Sequence, residues 1–169
     1  MFAFLDQYTS KGQFTLRKDE DLKTVCNAPK DCPGIYMVYV VKRGNPKLIY
    51  IGCSGMEENG MIKIRQDGLW GRLVNGYQFK KDEKRQKRFQ SWPSKIVELG
   101  IDCLLIKWWN TQKDFPEIVE FCALVEYVHE YKCLPDWNHK LHLKNALHEE
   151  FSNYIMKNIR YFPFIGYRM

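Results

Sequence analysis

Two tyrosines are spaced so that their phenols could serve one ligand. Tyr36 closes the triplet Gly34-Ile35-Tyr36, and Tyr50 opens Tyr50-Ile51-Gly52. Between them run Met37-Val38-Tyr39-Val40-Val41, Lys42-Arg43-Gly44-Asn45-Pro46 and Lys47-Leu48-Ile49. β-Branched and aromatic residues flanking a Gly-Asn-Pro breaker predict strand, turn and strand, so one small sheet carries both phenols. Single tyrosines in strands are ordinary; the ordered pair across one turn sets these apart. A second feature points to an anionic ligand. The run from Lys80 to Arg88 holds six basic and two acidic residues, so +4 of the net charge of +6 lies in nine positions. Such a run is either a solvated face or a contact to a phosphate backbone, which adds affinity without reading sequence.

The chain has 169 residues, 45% apolar and 15% aromatic, enough for one packed domain over residues 1–169. No apolar run reaches the ~18–20 residues of a membrane helix, and Met1-Phe2-Ala3-Phe4-Leu5 is broken by Asp6 without a basic leader. No membrane partner is expected. The six cysteines (26, 32, 53, 103, 122, 133) show no zinc spacing and read as reduced thiols of a cytoplasmic protein.

Residues 1–30 are mixed, with one short helix near Lys18–Lys23. Strands are expected at about 34–42 and 47–53. They are apolar on both faces, which predicts helices on both sides of the sheet. Residues 54–67 read as a loop, and helical spacing begins at Leu69. Ser91-Trp92-Pro93-Ser94 opens a helix that Gly100 stops, and Ile101–Trp109 is a third strand. A helix runs from Asp114-Phe115-Pro116 to about Lys132, and a last one spans about 140–159 before the aromatic tail Tyr161–Tyr167. The fold class is α+β, a three-stranded antiparallel sheet flanked by helices.

Three further residues stand out. Arg72 lies on the helix after the second strand, in Gly68-Leu69-Trp70-Gly71-Arg72-Leu73, and a guanidinium fork suits a phosphate. Arg65 is its competitor, in a less helical stretch. Glu126 shares a helical stripe with Val119, Cys122 and Ala123, and points about 180° from Glu117 and about 120° from Glu120. A carboxylate on a face fit for burial needs a cation or a metal, unless it sits at an edge that His129 and Glu130 supply. Asn138, in Leu134-Pro135-Asp136-Trp137-Asn138, could cap the following helix.

These residues, in this order, resemble the GIY-YIG nuclease family over residues 34–138, with 1–33 and 139–169 as extensions. The resemblance implies a metal-dependent DNA endonuclease with Tyr36, Tyr50, Arg72, Glu126 and Asn138 as catalytic residues. Tyr36 would be the general base and Tyr50 would orient water or phosphate. Arg72 would stabilise the phosphoryl charge, and Glu126 would ligate Mg²⁺ or Mn²⁺. Asn138 would brace the glutamate or nearby backbone. A free phenol has a pKa of ~10, so a guanidinium and a metal would have to favour its phenolate. The basic residues Lys80, Lys81, Lys84, Arg85, Lys87 and Arg88 would contact DNA.

The chain departs from the family in two places. Gly76, with Tyr77 beside it, stands where many members carry histidine or tyrosine, and Cys53 stands where repair relatives have lysine, a role Lys63 is a weak candidate to fill. A small restriction-type enzyme is the expected subclass, and a homodimer would suit cutting both strands. A repair or branched-structure nuclease, a non-cutting DNA-binding protein that keeps the fold, and a plain interaction module are the alternatives.

Overall fold

A two-residue turn closes the tyrosine hairpin. In the structure, a computed structural model that describes residues 1–81 and 84–163, β2 (Gly34–Lys42) and β3 (Asn45–Ser54) pair antiparallel, with Lys42 opposite Asn45. Arg43 and Gly44 between them both have positive φ (52° and 76°), the backbone whose twist matches that of paired strands. Pro46 therefore lies inside β3 and not in the turn. It is tolerated because β3 is an edge strand.

The main sheet has four strands, in the order β1-β8-β2-β3, where the sequence reading expected three. The additional strand is β1 (Lys11–Leu16), paired antiparallel with β8 (Cys103–Asn110), which lies between it and β2. β1 is inconspicuous in sequence because Phe14 and Leu16 are its only buried positions and it contains Gly12. That glycine lets the Trp108 side chain lie over the strand, since a Cβ there would stand 2.6 Å from Trp108 Cζ2.

Helices cover both faces of the sheet. On one face Ile35, Met37 and Ile51 pack against Val119, Cys122 and Ala123 of α4 (Pro116–Tyr131), Ile155 of α5 (His148–Lys157), and Phe4 and Leu5. On the other, Tyr36, Val38 and Ile49 meet Leu22 of α1 (Leu22–Val25), Leu69 and Leu73 of α2 (Gly68–Asn75), and Trp92 and Ile96 of α3 (Arg88–Leu99). A sheet whose strands are greasy on both sides is stable only between two such layers.

Other boundaries differ from expectation for local reasons. Within 54–67 a small hairpin forms, β4 (Met56–Glu58) with β5 (Met61–Lys63), turned by Asn59 and Gly60, both at positive φ. β6 (Tyr77–Lys81) and β7 (Lys84–Lys87) make another hairpin from the basic run. α3 begins at Arg88, three residues before Ser91, and carries Pro93 inside it; it ends at Gly100, in left-handed conformation with φ 57°. α5 is shorter than the expected 140–159, because 139–144 form no regular element. Asp82, Glu83 and the tail residues from Phe164 lie outside the described residues, as does the side chain of Lys81. No helix among the described residues is long and apolar enough to cross a membrane.

Gly34 supports the start of β2 by having no side chain. A Cβ there would stand 2.1 Å from the Trp109 carbonyl oxygen and 2.9 Å from Leu69 Cδ1. Gly34→Ala is expected to lower stability by about 1–3 kcal/mol through backbone displacement. An unchanged urea midpoint would contradict this packing.

Candidate active site

The hairpin register brings the two phenols onto one face. Tyr36 pairs with Gly52 and Val38 with Tyr50, and the register then shifts, so that Tyr39 faces Leu48. Ile49 is the extra residue of a β-bulge, and a bulge re-aims the side chains beside it. Ile49 and Tyr50 consequently pack against the same cluster as Tyr36, while Leu48 and Ile51 join the opposite one. The Tyr36 and Tyr50 ring centroids are 6.0 Å apart. Gly52 makes this possible: a Cβ there would lie 2.6 Å from Tyr36 Oη and 2.7 Å from Tyr50 Cε1.

Asn138 fixes the outer edge of the same strand. Its Oδ1 accepts from Ile51 N at 2.9 Å and its Nδ2 donates to Ile51 O at 2.8 Å, while Trp137 N donates to Ile49 O at 2.8 Å. The segment acts as a short substitute strand along β3 and blocks its open edge. Asn138 thus holds backbone next to Tyr50 rather than a glutamate.

Two arginines reach this face, with different commitments. Arg72, in the last turn of α2, makes no side-chain hydrogen bond among the described residues, and its Nε is buried without a partner. The Tyr36 phenol, Tyr50, Cys53 and Glu120 all favour its charged form, and burial opposes this only in part. Arg88 is the reverse case. It is 1% exposed, and donates from Nη1 to Tyr36 Oη (2.6 Å) and to Arg72 O (2.9 Å), and from Nε to Gln78 Oε1 (2.9 Å). Its Nη2 lies 3.4 Å from Tyr50 Oη. The sequence reading placed Arg88 with the phosphate contacts of the basic run; the structure corrects this, because the start of α3 turns it inward. Gly76 is part of the reason, since its Cα faces the guanidinium and a Cβ there would stand 3.2 Å from Arg88 Nη1.

The glutamate also changes. Glu126 is not on the tyrosine side of α4: its Oε1 accepts from Phe2 N at 2.9 Å, and it borders a separate cavity with Met1, His129 and Glu130. Its stripe faces the core that α4 shares with the N-terminal turn, so Val119, Cys122 and Ala123 lead away from the phenols. Glu120, about 120° round the helix, takes the place facing them. It is half-buried and lines one cavity with Tyr50, Arg72 and Asn138. Burial raises its carboxyl above the usual range, and Cys53 and Arg72 lower it only in part. Glu117 nearby is already engaged, with Lys144 at 2.8 Å and the Glu57 amide at 2.7 Å. In sequence, the stripe Glu117, Glu120, Phe121, Leu124 was the available signal, two carboxylates on the face opposite Glu126.

The cavity bounded by Tyr50, Arg72, Glu120 and Asn138 has a volume of about 560 Å³ and adjoins a second of about 700 Å³, with Arg72, Tyr77 and Arg85 on the wall between them. Arg65 and Lys87 line the second, and Lys80 and Lys140 the first. Of the basic hairpin, Lys80, Lys84 and Arg85 are exposed and Lys87 is half-buried. Tyr36 lines neither cavity; it is fully buried, one layer beneath the floor, with Arg88 on its oxygen. Tyr50 is pushed up chiefly by burial and then by Tyr36, against the opposing pull of Arg88 and Arg72. It therefore meets the cavity as a neutral O–H donor. Lys63 pairs with Glu58 at 2.8 Å on the outer hairpin.

Among the described residues no three His, Cys, Asp or Glu side chains are grouped to cage a metal ion. The donor set instead fits a hard cation that one carboxylate holds while water and phosphate oxygens complete the shell, a common arrangement for Mg²⁺. Glu120 is the residue that would hold it, having no Lys or Arg within ion-pair distance among the described residues.

No family model, no curated protein and no solved structure matches the chain.

The raised Glu120 carboxyl makes stability depend on pH in a defined direction. As pH rises through the ordinary carboxylate range, the unfolded chain loses this proton first and the folded chain keeps it. The contribution is complete below about pH 4 and is lost as pH climbs toward the raised folded value. Glu120→Gln should therefore match the parent in denaturant melts near pH 4 and exceed it near pH 7. Equal midpoints at both values would contradict the burial of this carboxyl.

Proposed function

We propose that the chain is a metal-dependent endonuclease hydrolysing phosphodiester bonds in DNA, with the hairpin, α2 and α4 serving as a GIY-YIG-like catalytic core. A small restriction-type enzyme is the subclass we propose. The observation that carries the reading is Arg72, a guanidinium kept charged between two phenols and a carboxylate, with a buried Nε that lacks a partner. A desolvated fork with free donors is suited to an anion of matching geometry, and phosphate is the prime case. The cations around the two adjoining cavities extend that preference along a polyanion.

In this reading Arg72 takes the non-bridging oxygens of the scissile phosphate and stabilises the charge that builds on them. Tyr50 donates its hydroxyl proton in a hydrogen bond to phosphate or water. Tyr36, one layer beneath the floor with Arg88 on its oxygen, does not reach the attacking water; it is a positioning residue under Tyr50 and Arg72, and cavity water takes the proton. Glu120 replaces Glu126 as the carboxylate that holds Mg²⁺ or Mn²⁺, which when bound supplies Lewis-acid polarisation of the phosphate. Asn138 keeps β3, and with it Tyr50, in register. Lys80, Lys84 and Arg85 steer the backbone into the groove.

A supercoiled plasmid incubated with the protein in Mg²⁺ or Mn²⁺, against EDTA, tests this directly. Nicking is expected with the metals and not with EDTA. Arg72→Ala and Glu120→Gln should each slow it by about 10²–10³-fold, whereas Glu126→Gln should stay within about threefold of the parent, a margin of the size surface changes give. Plasmid that is bound but left intact under every condition would overturn the nuclease reading in favour of a binding protein.

A further inference from the structure

One nitrogen of Arg88 ties together two residues that the nuclease reading needs. Nη1 donates both to the Tyr36 hydroxyl at 2.6 Å and to the Arg72 backbone carbonyl at 2.9 Å, so it fixes a phenol on β2 against the end of α2. The other two nitrogens also bond to the protein: Nε donates to Gln78 Oε1 at 2.9 Å, which Trp92 Nε1 also holds at 3.1 Å, and Nη2 donates to Tyr50 Oη at 3.4 Å. The guanidinium lies against the rings of Tyr36, Tyr50 and Trp92 at 5.2, 5.3 and 5.3 Å. Among the described residues no carboxylate is within ion-pair distance of it.

Burying a cation without a counter-charge is costly, and an apolar residue of similar volume would often serve a purely structural purpose as well or better. The space is also reserved for it. A Cβ on Gly76 would stand 2.4 Å from the Arg72 carbonyl and 3.2 Å from Arg88 Nη1, while the Gly76 carbonyl accepts from Arg88 N at 2.8 Å. The backbone of residue 76 thus seats the head of α3, and its missing side chain clears the way for the guanidinium.

We infer that Arg88 is a positioning residue for Tyr36, holding the phenol oxygen in fixed relation to Arg72 during phosphodiester cleavage. The inference rests on the nuclease reading above. Arg88 does not touch the substrate, since it is buried outside both cavities with each of its nitrogens bonded to the protein; Arg72 keeps its donors for the phosphate. A positioning role predicts a loss in turnover that depends on Tyr36, and little loss in affinity.

A double-mutant cycle tests this with the full chain. Cleavage of plasmid in Mg²⁺ would be measured for the parent, Arg88→Gln, Tyr36→Phe and the double variant, and affinity for a duplex oligonucleotide would be measured in EDTA. Arg88→Gln should lower kcat by about tenfold or more and leave Kd within about twofold. In the Tyr36→Phe background the same change should cost less than about threefold, because contacting residues are not additive. Arg88→Lys keeps a cation without the planar fork and should recover part of the rate; should Arg88→Gln not fold, the cycle is read with Arg88→Lys instead. Equal losses in both backgrounds, or a loss in Kd with kcat kept, would overturn the role of Arg88 while leaving the nuclease reading intact. A parent protein that cuts nothing in either metal would overturn both.

Discussion

A guanidinium buried without a carboxylate is the constraint around which this face of the molecule is built. Arg88 is among the largest fully buried side chains, and its charge is met by neutral oxygens and aromatic faces alone. Each acceptor comes from a different element: Tyr36 from β2, the Arg72 carbonyl from the end of α2, Gln78 from β6. Losing any of them would leave a desolvated donor unpaired, which is costly in a low-dielectric interior. The arrangement of hairpin, α2 and α3 is therefore coupled through a single side chain, and the two phenols inherit their placement from it.

The contrast between Arg72 and Arg88 follows from where each emerges. Arg88 heads a helix that the β6–β7 hairpin presses against the core, so its fork closes on protein atoms. Arg72 emerges one layer higher, on the wall shared by two cavities, with nothing to saturate it. One arginine spends its hydrogen bonds on architecture and the other holds them open. The half-buried Glu120 completes the contrast as a carboxyl that burial raises and Arg72 and Cys53 draw back in part, one whose ionised form a hard cation would favour.

Beneath the arginines lies a strand whose register is controlled from both sides. The regular pairing of Tyr36 with Gly52 and Val38 with Tyr50 sets both tyrosines on one face, the bulge at Ile49 adds that residue beside them, and Gly52 leaves room for both rings. From outside, the Asn138 amide clamps Ile51 through both of its backbone groups. Slippage by one residue would carry Tyr50 to the opposite core, among Ile51 and Leu48. An edge strand pinned on one side by a bulge and on the other by a side-chain amide resists that slip.

Much of the fold was legible in the chain itself. Strands at 34–42 and 101–109, the latter observed as Cys103–Asn110, follow from β-branched and aromatic runs, α4 from Pro116 at its start, and the end of α3 from Gly100, because local sterics decide these features. The convergence of Tyr36, Tyr50 and Arg72 could be anticipated from order along the chain only by resemblance. Other parts could not be read locally. β1 carries too few apolar positions to declare itself, and becomes a strand because β8 offers an unpaired edge. Periodicity shows that Glu120 and Glu126 lie on different faces of α4 but not which face meets the phenols; that depends on the N-terminal turn filling the other side. Arg88 sat inside a basic run and read as surface, because charge patterning along a chain says nothing about which cation a helix start will turn inward. Composition and local sterics thus determined the elements, while packing between elements distant in sequence decided which side chains share the site.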